Sequence, residues 1–219
     1  HRERSVPLDA FTTPAVVALL HELTEARANI LVTGATSTGK TTLLAALVET
    51  LPAHERLVVV EDTTELPLGG RHAVRLETRH ATADGVAAID AAQLVRTALR
   101  LRPDRLVIGE FRGSEAVAIV EALNTGHDGS LSTCHANSAV DGLRRLETLV
   151  MQSVPTWPLA AIRRQVTRSI DVVVHLQRRP DGRRRIAEVV EVVEGDGEPS
   201  GRSLVDGDRV VGRFERARR

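Results

Sequence analysis

The stretch Asn29-Ile-Leu-Val-Thr33-Gly34-Ala-Thr-Ser-Thr-Gly39-Lys40-Thr41-Thr-Leu-Leu-Ala-Ala-Leu-Val-Glu49 decides the fold. It opens with an apolar run of strand length, passes through a loop of glycine and hydroxyl residues, and ends in strong helix formers closed by Pro52. Strand, glycine loop and helix make one βα unit. The loop fits Gly-x4-Gly-Lys-Thr letter for letter, in the context that gives the pattern its meaning. Its glycines allow a turn tight enough for backbone N–H groups to close round a phosphate, and the helix N-terminus adds its positive end. The candidate phosphate-binding set is therefore Gly34, Ala35, Thr36, Ser37, Thr38, Gly39, Lys40, Thr41 and Thr42. Lys40 is placed to reach β- and γ-phosphates, and the Thr41 hydroxyl to meet Mg²⁺.

Composition sharpens this reading. Lys+Arg and Asp+Glu both stand at 29, so the net charge is zero and no global basic field exists to hold nucleic acid. Lys40 is the only lysine among those 29 basic residues. A compact ammonium on a flexible stem acts as a point charge, where a guanidinium fork is broader. Three Phe, one Trp and no Tyr leave little for stacking single-stranded bases. The single cysteine, Cys134, excludes an intramolecular disulfide and any multi-cysteine zinc module. No apolar run approaches the ~18 residues of a membrane span, and the charged start His1-Arg-Glu-Arg4 has no apolar region behind it. The first residue is not methionine, the expectation for a piece whose N-terminal portion precedes it.

Outward from the loop, helical spacing of Val16, Val17, Leu19, Leu20 and Leu23 predicts a helix over 13–27. Arg56-Leu-Val-Val-Val-Glu61 and Arg105-Leu-Val-Ile-Gly-Glu110 read as strands buried on both faces, with a helix from Ala87 to Leu101 between them. Ser114 is expected to cap a helix through Leu123, and a fourth buried strand follows near 130–134. Ser138-Ala-Val-Asp141 resembles a capping box opening a helix to about Gln152. Strands alternating with helices give an α/β fold with a mostly parallel central sheet. A helix over 158–170 and a hairpin of Val172–Leu176 with Ile186–Val193 form a C-terminal extension. The expected division is 1–28 as linker and leading helix, 29–155 as core, 156–194 as helix-and-hairpin subdomain, and 195–219 as tail, in which Gly207-Asp208 turns a short hairpin or lies loose.

Acidic residues stand at the carboxyl ends of these strands, where parallel sheets meet their ligands. Glu110 is placed to orient Mg²⁺ and its waters, and Glu61, Asp62 and Glu65 form a cluster from which one carboxylate polarises an attacking water. His135 follows the next strand, again at a carboxyl end.

Together these residues resemble the secretion ATPase superfamily of type II, type IV and pilus-assembly systems. Four blocks carry the resemblance: the Walker A loop Gly34 to Thr41, the Asp box Val60-Glu-Asp-Thr-Thr-Glu65-Leu, the Walker B block Arg102 to Gly113, and the His box Asn124 to Ser138. Val74-Arg-Leu-Glu-Thr-Arg79, Leu101-Arg-Pro-Asp104 and His135-Ala-Asn-Ser138 look most like the tight-adherence (Flp pilus) branch. The resemblance implies a RecA-like P-loop ATPase domain in a homo-hexamer, with ATP and Mg²⁺ held between subunits. It makes Glu65 the preferred water-activating residue, with Glu61 and Asp62 in support. His135 becomes a sensor of the γ-phosphate, and Arg75 and Arg79 candidate arginine fingers reaching a neighbouring nucleotide. It further implies a family N-terminal domain packed over the nucleotide site, an inner-membrane platform protein as partner, and a place at the cytoplasmic face of the inner membrane. The basic stretch Arg178 to Arg185 is expected to flank a solvated hairpin. The competing reading is a RecA-like nucleic-acid motor or conjugative DNA-transfer ATPase, which neutral charge and few aromatics do not favour.

Overall fold

Short runs of Val, Ile and Leu with no polar face can be buried on both sides only if helices cover both. The computed structural model, which describes residues 6–195 and 198–215, has that architecture. The charged start His1–Arg4 and the extreme C-terminus, 216–219, lie outside the described residues. Its strands are β1 (Ile30–Gly34), β2 (Leu57–Glu61), β3 (Ala73–Glu77), β4 (Arg105–Ile108), β5 (Leu131–His135), β6 (Val172–Arg178), β7 (Arg184–Val193), β8 (Ser200–Asp206) and β9 (Arg209–Val210). All belong to one sheet, in the order β3-β2-β4-β5-β1-β6-β7-β8-β9. Pairing is parallel from β3 through to β6 and antiparallel beyond.

The helices are α1 (Pro14–Glu25), α2 (Lys40–Thr50), α3 (Ala91–Ala98), α4 (Glu115–Asn124), α5 (Ala139–Ser153) and α6 (Leu159–Ser169). The two-residue period of each strand sorts its side chains between two cores. Ile30, Val32, Leu57 and Val59 join Leu20 and Leu23 of α1 and Leu43, Leu44 and Leu47 of α2. Leu31, Val58 and Val60 point the other way and join the apolar faces of α3 to α6. The sheet is thus sandwiched, and its carboxyl ends are left for loops.

β1 sits at the middle, paired to β5 at Ile30↔Leu131 and to β6 at Ile30↔Val172. Asn29 fixes that junction. Its backbone N–H donates to Asp171 Oδ2 at 2.7 Å, its Nδ2 to the Ser169 carbonyl at 2.8 Å, and its Oδ1 accepts from Ser130 N at 3.0 Å. One fully buried amide therefore ties the start of β1 to those of β5 and β6, with every polar contact satisfied as burial demands.

The structure corrects or decides the sequence reading in four places. Ala73–Glu77, quoted above only as a motif, is strand β3; it is a half-exposed edge carrying Arg75 and Glu77, so its apolar content is low. Of the two readings for 195–219, a loose tail and a short hairpin at Gly207-Asp208, the structure has the hairpin: β8 and β9 pair there, with Gly207 at a φ of 58° between them. Ser114 makes no side-chain cap; Glu115 Oε1 instead accepts from the Arg112 and Gly113 amides at 2.5 and 2.9 Å. Ser138 does accept from Asp141 N at 3.1 Å, whereas the reciprocal box forms at α3, between Asp90 and Gln93.

Candidate functional site

β1 ends at Gly34 and α2 begins at Lys40, so the loop between them lies at the carboxyl edge of the sheet. Gly34 is required by space: a Cβ there would stand 2.5 Å from Thr38 Oγ1 and 2.8 Å from the Leu176 carbonyl. Gly39, at φ +95°, is required by conformation as well. Ser37 adopts φ 62°, and the Thr38 hydroxyl donates to the Ala35 carbonyl at 2.8 Å, which closes the loop on itself. Ala35, Thr36 and Ser37 are exposed. Gly39 precedes α2 without any side-chain cap, so the first N–H groups of the helix remain directed at the loop's concave side.

Lys40 is buried, and its Nζ donates to the carbonyls of Gly34 at 3.2 Å and Ala35 at 3.1 Å. Its third contact is His135 Nδ1 at 3.0 Å, while His135 Nε2 lies 2.9 Å from Glu110 Oε1. An ammonium has donors only, so Nδ1 accepts and the ring proton sits on Nε2, donated to the carboxylate. Burial lowers the Lys40 pKa from its ordinary value, opposed by the Glu110 charge. Burial and the Lys40 charge together lower that of His135, which agrees with a neutral ring. Burial pushes the Glu110 carboxyl up, but the hydrogen bonds and charge of Arg112, with the Lys40 charge, carry it below the usual range. Lys40, His135 and Glu110 therefore form one chain joining the ends of β1, β5 and β4.

Arg112, which the sequence reading gave no role, grips Glu110 with Nε on Oε1 and a second guanidinium N–H on Oε2, both at 2.9 Å. The only signal for it was its place two residues beyond the acid, which two-pronged Arg–carboxylate geometry exploits here.

A cavity of about 630 Å³ opens beside the loop, lined by Thr41, Glu61, Asp62, Glu65, Arg79, Glu110 and Arg112 among others. This brings the expected carboxylates together, but not as equals. Glu61 is buried, and its Oε1 accepts from the Glu65 and Leu66 amides at 2.9 Å each. It holds the turn that presents Glu65, whose own side chain is exposed. Asp62 Oδ1 accepts from the Thr78 hydroxyl at 2.6 Å. Arg75, expected to reach a neighbouring subunit, is turned onto its own chain: it donates to the Leu66 carbonyl and lies 3.7 Å from Glu61 Oε2. The cause is its register on β3, opposite Val59 on the strand that leads to Glu61. Arg79 is exposed at the cavity rim and donates to the Ala87 carbonyl at 3.1 Å.

The donor set suits Mg²⁺. A hydroxyl and a carboxylate, Thr41 and Glu110, line one cavity, and among the described residues no cluster of three or more His, Cys, Asp or Glu could enclose a metal. Mg²⁺ typically takes one or two protein oxygens and completes its shell with water and substrate phosphate. Among the described residues no helix is long and apolar enough to cross a membrane.

Comparison with known proteins identifies the family and the fold. Residues 9–209 match the family described as type II/IV secretion system protein. A putative conjugal transfer protein of Mycobacterium tuberculosis is 40% identical over 196 residues, covering 90% of this chain and 55% of that protein. The type IV secretion system protein PtlH of Bordetella pertussis is 41% identical over 175 residues, covering 78% and 51%. Among solved structures, the VirB11 ATPase of the Brucella suis type IV secretion system, in complex with sulphate, superposes with a TM-score of 0.72 at 34% identity, covering 81% of this chain and 52% of that one. The chain spans about half the length of these relatives.

Proposed function

The chain belongs to the type II/IV secretion system protein family, and from that premise we propose that it is the ATP-hydrolysing part of a motor that assembles a pilus or secretes protein. The observation that carries the proposal is the junction of Lys40, His135 and Glu110 at the lip of an uncapped phosphate loop. Each partner in that junction has a use once a nucleotide is present.

The Lys40 ammonium exchanges the Gly34 and Ala35 carbonyls for β- and γ-phosphate oxygens, a stronger match for a buried cation. The N–H groups of the loop and of the first turn of α2 receive the remaining phosphate oxygens. Thr41 and, through water, Glu110 would hold Mg²⁺, which when bound supplies positive charge to the β- and γ-oxygens. Loss of the Lys40 contact frees His135 Nδ1, which on gaining a proton donates to a γ-phosphate oxygen while Nε2–H stays on Glu110, so the ring reports whether that group is there. Glu65, carried on the turn that Glu61 fastens, takes up the proton of the attacking water. Arg75 serves that turn in cis. Arg79, exposed at the rim, is the residue we assign to a nucleotide at a subunit boundary.

In this reading the motor is a homo-hexamer at the cytoplasmic face of the inner membrane, moving a platform protein through ATP-driven closure. The residues Val74 to Arg79 and His135 to Ser138 support a tight-adherence pilus system, while the names of the relatives support type IV secretion. Conjugative DNA transfer is the second reading, favoured by the mycobacterial relative's description. Zero net charge argues against direct contact with the nucleic acid in either case.

Phosphate release from Mg·ATP tests the assignments. Glu110→Gln and Glu65→Gln should each retain nucleotide binding while turnover falls by about a hundredfold or more. Undiminished hydrolysis by either variant removes that residue from its role.

A further inference from the structure

The stretch Arg178 to Arg185 was expected to flank a solvated hairpin, yet the hairpin does not stand apart from the nucleotide site. β6 runs parallel to β1, with Leu176 beside Gly34, so it delivers the chain to the same edge of the sheet as the phosphate loop. The turn then returns into β7 with Arg178 opposite Arg184. Arg178 Nε donates to the Gly182 carbonyl at 3.2 Å and Arg183 lies 3.9 Å from Asp181, so both are spent within the hairpin. Arg184 behaves differently.

Its guanidinium leans across onto the loop. A Cβ on Gly39 would stand 2.7 Å from Arg184 Cδ and 3.2 Å from two of its nitrogens. One of those nitrogens reaches the Thr42 hydroxyl at 3.4 Å. Arg184 is exposed, and among the described residues no carboxylate lies within ion-pair distance of it. A permanent cation with no counter-ion thus rests against a loop built for anions.

The sheet order fixes which part of a nucleotide it would meet. Glu110 and His135 come from β4 and β5, on one side of β1, and Lys40 turns towards them. Arg184 comes from the opposite side, through β6 and β7, and touches Thr42 rather than Thr41. The γ-phosphate chemistry belongs to the first side, which leaves the α-phosphate and sugar for the second.

We infer that Arg184 is a nucleotide-binding residue contributed by the C-terminal hairpin, contacting the α-phosphate end of ATP and ADP alike. The inference rests on the nucleotide reading above. It makes the hairpin a wall of the site, and gives the last glycine of the loop a reason beyond its φ: its missing side chain admits the guanidinium.

Equilibrium titrations of Mg·ATP, Mg·ADP and inorganic triphosphate against the wild-type chain, Arg184→Ala, Arg184→Lys and Lys40→Ala test this. Arg184→Ala should weaken ATP, ADP and triphosphate by a similar factor, about tenfold for an exposed charge-assisted contact, because all three place a phosphate at that position, with Arg184→Lys intermediate. Unchanged ATP and ADP affinity in Arg184→Ala, with Lys40→Ala defective, overturns the inference and leaves the nucleotide reading standing. Undiminished triphosphate affinity beside weakened ATP and ADP overturns the α-phosphate placement, since the contact would then be to the nucleoside. Wild-type affinity in Lys40→Ala overturns the underlying reading itself.

Discussion

His135 and His175 show how two similar side chains acquire different tasks from their surroundings. His135 ends β5 and bridges Lys40 to Glu110, whereas His175 is 2% exposed on β6 and hydrogen-bonded through Nδ1 to the Thr33 hydroxyl at 2.9 Å. Burial lowers the His175 pKa from the ordinary 6.5, with Glu188 and Asp141 opposing. The unfolded chain therefore takes a proton below about pH 6.5 that folded His175 refuses, and stability should decline as pH falls through that value. Denaturant unfolding between about pH 7.5 and 5.5 should show a shallower decline in His175→Gln than in the wild type. An identical slope would mean that the ring is protonated inside the fold. Lys40 and Glu110 were legible from the sequence because each belongs to a pattern whose chemistry fixes the residue type. Arg112, Arg184 and the contact of Arg75 with Leu66 and Glu61 were not, because an arginine's partners in a chain rich in arginine carry no signal until its neighbours in space are known.

At the scale of elements, the amino edge of the sheet, opposite the loop of β1 and α2, is held by a network that no motif announces. Arg105, 1% exposed at the start of β4, donates through Nε to Glu55 Oε2 at 2.5 Å and through a terminal nitrogen to the Thr24 carbonyl at 3.0 Å. Arg27 approaches the same carboxylate at 2.6 Å. Glu55 thus joins the end of α1 to the strand that presents Glu110. Removing one charge leaves the other buried and unpaired, so Glu55→Gln should lower unfolding free energy by about 3–5 kcal/mol. A loss below about 1 kcal/mol in urea or guanidinium unfolding would show that Arg105 is adequately served by the carbonyls alone. Long apolar strands and the glycine loop were readable because burial on both faces leaves no polar residues to confuse them. The edge strand β3 was not, since an edge needs only half a face of apolar residues and resembles a loop in composition, and β8 with the edge β9 stood only as one of two readings because β8 buries just Leu204 and Val205.

On the scale of the whole molecule, strand order converts separate motifs into one site. Residues as far apart as Gly34, Glu61, Glu110 and His135 converge because β1, β2, β4 and β5 are parallel neighbours or near neighbours, and parallel strands end at one edge. The same order brings the β6–β7 hairpin to the far side of the loop, which spacing along the chain could not reveal. Zero net charge, with Lys40 the only lysine, fits a site whose anion binding is local rather than spread over a basic surface. The central claim is that this loop holds the phosphates of ATP through that lysine. Titration of the wild-type chain and Lys40→Ala with Mg·ATP tests it most directly. The account predicts saturable binding to the wild type and a loss of about a hundredfold or more in the variant, because a buried cation is withdrawn from the β- and γ-phosphates. Equal affinity in the two proteins would contradict it.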